Sequence, residues 1–191
     1  MENNSVGTEK DGIYIYDPDD FKECIHIKYY APLQSQLKND MLLTMWNEEL
    51  AVIKLTKDNY EIKMIIDCDA RILYIEALDS NHVAAIFKYR ENIYIYQLDD
   101  DFKNYSKKSI YVNSQASCKF ILKVNNEEIL YIISPDTYSA VKQTIFYNYI
   151  KDRFVKSLNI YVNIETKPIS KISKNLIAAA SETRITLIDI K

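Results

Sequence analysis

Two stretches of this chain nearly repeat one another. Ile13-Tyr14-Ile15-Tyr16-Asp17-Pro18-Asp19-Asp20-Phe21-Lys22 returns as Ile93-Tyr94-Ile95-Tyr96-Gln97-Leu98-Asp99-Asp100-Asp101-Phe102-Lys103, one residue longer. Each is an alternating β-branched and aromatic run that breaks into an acidic turn. That is the pattern of a strand with one buried face. Looser versions stand at Val52–Asp58, Thr144–Tyr149 and Ile185–Ile190. With Ile13, Ile53, Ile93, Ile145 and Ile185 as anchors, the steps are about 40, 40, 52 and 40 residues, the recurrence of propeller blades. Such a chain is expected to bind rather than to react.

Turn signals every 8–12 residues, and no apolar stripe of helical period, give an all-β expectation. Strands grouped in fours predict a β-propeller of four-stranded antiparallel blades, with blades at about 1–30, 41–67, 70–113, 117–163 and 167–191. The third uses Ile72–Leu78, Val83–Phe87, Ile93–Leu98 and Ser109–Val112; the fourth uses Lys119–Val124, Ile129–Ile133, Gln143–Ile150 and Phe154–Val162. Seven blades would need about 280–300 residues, so 191 residues hold about four and a half of an expected seven. The chain stops directly after a strand. It is expected to be a fragment, or to have its open edge completed by another chain.

Composition excludes several functions. Net charge is −3, too little positive field for nucleic acid. Gly7 and Gly12 are the only glycines, so no P-loop or dinucleotide fingerprint can form. Tight turns must use Asn and Asp, which tolerate positive φ and bond their own backbone. No run reaches the 18 apolar residues of a membrane-spanning helix, and Met1–Ser5 lacks the features of a signal peptide. Cys24, Cys68 and Cys118 are odd in number and lack zinc-site spacing. They read as reduced, buried hydrophobes of a cytoplasmic protein. No metal or other cofactor is expected.

The order of segments resembles the PROPPIN family, seven-bladed phosphoinositide-binding propellers of autophagy. Ser5-Val6-Gly7-Thr8-Glu9-Lys10-Asp11-Gly12-Ile13-Tyr14, followed by Pro18 and Phe21-Lys22, is similar to its first-blade motif. Met41-Leu42-Leu43-Thr44-Met45-Trp46-Asn47 through Ile53 is similar to the next segment. Val83–Phe87 with Glu91–Tyr96 is similar to the blade-three strand pair. Pro168-Ile169, then Asn175–Glu182 and Ile185–Ile188, resembles blade five. The resemblance implies recruitment to phosphatidylinositol 3-phosphate or 3,5-bisphosphate and to autophagy-type protein partners. It also implies a cytoplasmic protein that associates peripherally with autophagosomal, endosomal or vacuolar membranes. The family's F-R-R-G motif and membrane-inserting loop do not occur here. Its blade-five His falls on Glu165, and the Arg of its final strand falls on Asp189. Of the lipid pocket there remain Ser181, Arg184 and Thr186. Two carboxylates beside them would repel a phosphate, so weak lipid binding is expected. Asp79-Ser80-Asn81-His82 stands where relatives carry a basic turn that docks protein partners.

Other residues read as structural. His26 alternates with Ile25 and Ile27 and should point from a strand face. Asp17, Asp19 and Asp20, like Asp99–Asp101, lack calcium-loop spacing and read as solvated turns. Tyr14, Tyr16, Tyr94 and Tyr96 are expected to pack on strand faces. Trp46 is expected in the core or between blades. Glu48-Glu49 and Glu127-Glu128 are expected in turns, serving solubility. No nucleophile with a base and orienter is found, so catalysis is not expected. Two alternatives stay open beside the lipid-binding propeller: a WD-repeat-like protein-interaction scaffold without lipid binding, and a non-functional remnant.

Overall fold

The structure is a computed structural model that describes residues 5–9, 12–16, 23–27, 34–38, 40–46, 48–56, 59–88, 90–112, 117–134, 141–161, 169–173, 176–180 and 185–189. Every regular element among them is a β-strand. The first sheet is β1 (Ser5–Glu9), β2 (Gly12–Tyr16) and β3 (Glu23–Ile27), in that spatial order. The second is β4 (Gln34–Lys38), β5 (Met41–Trp46), β6 (Glu49–Leu55) and β7 (Tyr60–Asp67). The third is β8 (Ile72–Ala77), β9 (His82–Phe87), β10 (Asn92–Leu98) and β11 (Tyr105–Tyr111). The fourth is β12 (Ser117–Lys123), β13 (Glu128–Ser134), β14 (Val141–Asn148) and β15 (Arg153–Tyr161). The fifth is β16 (Ile169–Ser173), β17 (Leu176–Ala180) and β18 (Ile185–Asp189). Each strand pairs with its sequence neighbour, as hairpins and meanders do.

The chain forms two compact units, Met1–Lys88 with Ile95–Lys108, and Tyr89–Tyr94 with Ser109–Lys191. In the first unit, Ile13, Ile15, Ile25 and Ile27 of the first sheet pack on Leu42, Ala51 and Ile53 of the second. β8 lies against β4 and β5. In the second unit, Val124, Leu130, Ile132, Phe146 and Ile177 form the core, with Phe120, Leu122, Leu158 and Ile188 against it. Period two explains the half-buried strands: Met64 and Ile66 are buried while Ile65 between them is exposed. β5 and β9 are buried on both faces and read as continuous apolar runs, which is what a central strand between stacked layers requires.

Two strands extend the sequence expectation. β4, Gln34-Ser35-Gln36-Leu37-Lys38, lies outside the predicted second blade, because Leu37 is its only apolar residue. It forms because β5 supplies its ladder, in register Gln34↔Thr44 to Lys38↔Met41. β11 begins at Tyr105 rather than Ser109, since an edge strand can be polar on both faces.

Local devices fit the shortage of glycine. Asp69 and Asp152 take left-handed φ of 55°, as expected of aspartate in turns. Phe102 takes φ of 56° as well, which the sequence did not signal; its buried ring anchors it. At Gly12 a Cβ would sit 2.2 Å from the Ile27 carbonyl oxygen and 2.9 Å from His26 Nε2. Only glycine lets β2 start that close to β3.

Candidate functional site

The hairpin ends are tied down by short polar side chains. Asp79 Oδ1 accepts the N–H groups of Asn81 and His82, both at 2.8 Å, and His82 Nδ1 lies 2.8 Å from Asp79 Oδ2. Burial pushes the Asp79 carboxyl up, but these bonds and the His82 ring outweigh it and hold it below its ordinary value. Asn81 Nδ2 reaches over to the next turn and donates to Asp100 Oδ1 at 2.7 Å. In that turn, Asp99 accepts from Lys103 N at 2.7 Å and Asn104 N at 3.0 Å. Desolvation acts upward on Asp99, and these donors together outweigh it and hold the carboxyl below its ordinary value. The acidic turn is exposed, as expected, and internally bonded as well. Among the described residues no three His, Cys, Asp or Glu side chains gather where they could hold a metal.

A matching device occurs in the second unit. Asn125 Oδ1 accepts from Glu127 N and Glu128 N at 2.8 and 3.0 Å. Glu127 Oε2 accepts from Asn148 Nδ2 at 3.0 Å and pairs with Lys151 at 3.1 Å. The Asn148 bond, then Lys151, hold the Glu127 carboxyl below its ordinary value. Glu127 thus locks two turns together, where the sequence reading gave it only a solubility role.

Across three hairpins the backbone repeats one closure. Leu55 N donates to Asp40 O at 2.7 Å, Leu98 N to Asn81 O at 2.7 Å, and Tyr149 N to Glu127 O at 2.9 Å. Leu55, Leu98 and Tyr149 are therefore equivalent. Ile53 lies two residues ahead of that point, Ile145 four and Ile93 five. The even spacing of the sequence anchors found the right strands but not their common register.

A second kind of hairpin end carries charge that stands in no ion pair among the described residues. Trp46 ends β5 and pairs with Glu49, which pairs in turn with Asp67 at the end of β7. Cys68 N donates to Glu48 O at 2.8 Å, and Asp69 N to Asp67 Oδ1 at 3.2 Å, fixing the neighbouring turn. Lys88 N donates to Arg71 O at 2.8 Å and holds Arg71 at the head of β8. Trp46, Glu48, Glu49, Asp67 and Arg71 line an open depression of about 510 Å³. Trp46, expected in the core or between blades, is the last residue of β5 and is 39% exposed, which excludes the buried core position. Its signal in the sequence was the chain's one Trp, one residue removed from Glu48-Glu49.

The remaining candidates divide. Ser181 and Arg184 lie outside the described residues, as do Glu165, Asp17, Asp19 and Asp20. Thr186 is described in its backbone only, opposite Ala179 in the β17–β18 pair. Asp189 ends β18 and is exposed. His26 is half-buried and stacks on Tyr14 with ring centroids 4.2 Å apart, a packing role as expected. Tyr96 is buried and its hydroxyl donates to Cys68 Sγ at 3.6 Å. Cys68 and Cys118 are buried thiols outside any disulfide, and burial, chiefly, raises the Cys68 thiol. No helix among the described residues is long and apolar enough to cross a membrane.

No family model matches the chain, and no curated protein matches it in sequence. Among solved structures it is similar to Kuenenia stuttgartiensis hydrazine synthase, with a TM-score of 0.64 and 11% identity over 95% of this chain. It covers 57% of that chain, so it spans little more than half the neighbour's length. At such identity the likeness is one of architecture: the fold is all-β, with several four-stranded antiparallel sheets, and propeller-like.

Proposed function

We propose that this chain is a β-sheet scaffold that docks partner proteins and carries out no chemical step. The observation that supports it most is the contrast between hairpin ends. At Asp79 and Asp99 the charged side chains are held in bonds within the turn, and at Glu127 in bonds to a neighbouring turn. Around Trp46 a stiff frame instead presents an aromatic ring and charges outward. Aromatic and charged side chains held on rigid elements are the usual anchors of protein recognition. The test is selection of a random peptide library displayed on phage against the folded chain, with heat-unfolded chain as counter-selection. Clones that bind only the folded form are expected; a library that yields none sinks the scaffold reading.

The colinear motifs from Ser5 to Ile188 favour a second reading, a phosphoinositide-binding propeller that acts in autophagy at membranes. Ser181, Arg184 and Thr186 would contribute to its headgroup site, with Arg184 supplying the planar fork suited to phosphate. Liposome flotation with and without phosphatidylinositol 3-phosphate tests it. Specific flotation lost with Arg184→Ala supports lipid binding; equal flotation with and without the lipid removes it.

A further inference from the structure

We infer that the Trp46 depression is a receptor for a basic side chain, Lys or Arg, carried on a segment of a partner protein. The inference rests on the scaffold reading and names the partner's chemistry.

Charge placement carries it. Glu49 and Asp67 are direct cross-strand partners on β6 and β7, and like charges in that relation destabilise a sheet. Glu48 adds a third carboxylate at the same turn. None of the three, nor Arg71, stands in an ion pair among the described residues. Elsewhere the molecule does neutralise its turns: Asp40 with Lys54, Glu127 with Lys151, Asp101 with Lys103. The described residues of the Trp46 end therefore hold an excess of negative charge that no ion pair offsets, although Asp67 also accepts the Asp69 N–H. A cation entering the depression would relieve the repulsion between Glu49 and Asp67. It would also meet the exposed Trp46 ring, the best of the aromatic faces for a cation. The depression is open, which suits a side chain presented on a protein surface better than an enclosed small molecule. Among the described residues Arg71 is the one cation lining the site. It would keep the site from filling with free monovalent cations and would accept a carbonyl or carboxylate of the same segment.

Trp46 is the only tryptophan, so its emission reports the site in the unaltered protein. The probe is a peptide of Arg and Lys residues spaced by Gly and Ser, beside a counterpart with Glu in place of each basic residue. The basic peptide is expected to quench or shift Trp46 emission saturably, and the acidic one to leave it unchanged. Binding should weaken as salt rises from about 50 to about 500 mM, because the pairs are exposed to solvent. In fluorescence anisotropy with labelled peptide, Trp46→Ala and Glu49→Gln should each weaken binding by ~3- to 10-fold. Trp46→Phe should restore part of the loss, and Lys63→Gln, remote from the site, should change nothing. Circular dichroism checks that each variant folds, and the emission titration stands even if Trp46→Ala does not. An unchanged emission with the basic peptide, or equal affinity in all variants, overturns the inference. Library clones that bind the folded chain independently of Trp46 would then leave the scaffold reading standing, whereas absence of any clone removes both.

Discussion

At the scale of single residues, this protein depends on a few positions whose chemistry has no substitute. Gly12 is one. A methyl group there meets the Ile27 carbonyl oxygen at 2.2 Å, and backbone in a paired strand cannot yield as a side chain would. Gly12→Ala is expected to cost about 2–3 kcal/mol through overpacking and shifted pairing, read as a lower urea midpoint. Asp79 is another. Its folded carboxyl sits below its ordinary value, so the unfolded chain takes up the proton first as pH falls. The stability it contributes is present above the unfolded carboxylate value, about 3.9, and is lost as pH falls through the folded one. Asp79→Asn keeps the acceptor oxygen but cannot titrate. Between pH 5 and pH 2 the wild type should lose more of its urea midpoint than Asp79→Asn does; parallel losses would show that the Asp79 charge does not matter to folding.

At the scale of elements, burial rather than residue type decides what a strand contributes. Phe146 on β14 is 2% exposed and sits in the core with Leu130 and Ile132. Phe154 on the neighbouring β15 is 59% exposed. Phe146→Ala should cost about 3–5 kcal/mol and Phe154→Ala no more than about 0.5. Comparable losses in the two urea curves would place the core elsewhere. β4 makes the same point from the other side. Gln34–Lys38 has nearly no hydrophobic pattern, yet it is a strand because β5 offers an edge and β8 a surface. Propensity could not have found it, since what makes it a strand is its neighbours.

At the scale of the whole molecule, charge sets solution behaviour. The chain carries −3 at pH 7 with an isoelectric point near 5.5. Exposed apolar side chains such as Ile172, Ile185 and Leu187 are then least protected from one another near that pH. Light scattering across pH 4–8 should peak near 5.5 and fall on either side; a maximum elsewhere would mean that local patches outweigh net charge. The likeness to the hydrazine synthase chain belongs to this scale too. It is a likeness of sheet architecture, and architecture of this kind is shared by proteins of unrelated function.

The sequence by itself determined the all-β class, the positions of most strands and the use of Asn and Asp in turns. These are local matters: alternation of Ile and Tyr over Ile13–Tyr16 or Ile93–Tyr96 is written in adjacent residues, and so is the acid that must follow. It also marked Trp46, as core or between blades, and Glu48-Glu49, as turn charge that serves solubility. Only tertiary structure decided how far Trp46 is exposed, because a tryptophan at a strand end is buried or bare according to what lies above it. Likewise the contrast between Glu127, bound by Asn148 and Lys151, and Glu49, set against Asp67, is invisible in two similar Glu-Glu pairs. Their partners lie some twenty residues away along the chain. Register and long-range pairing bring those partners in, and neither is encoded in the local pattern that made the strands.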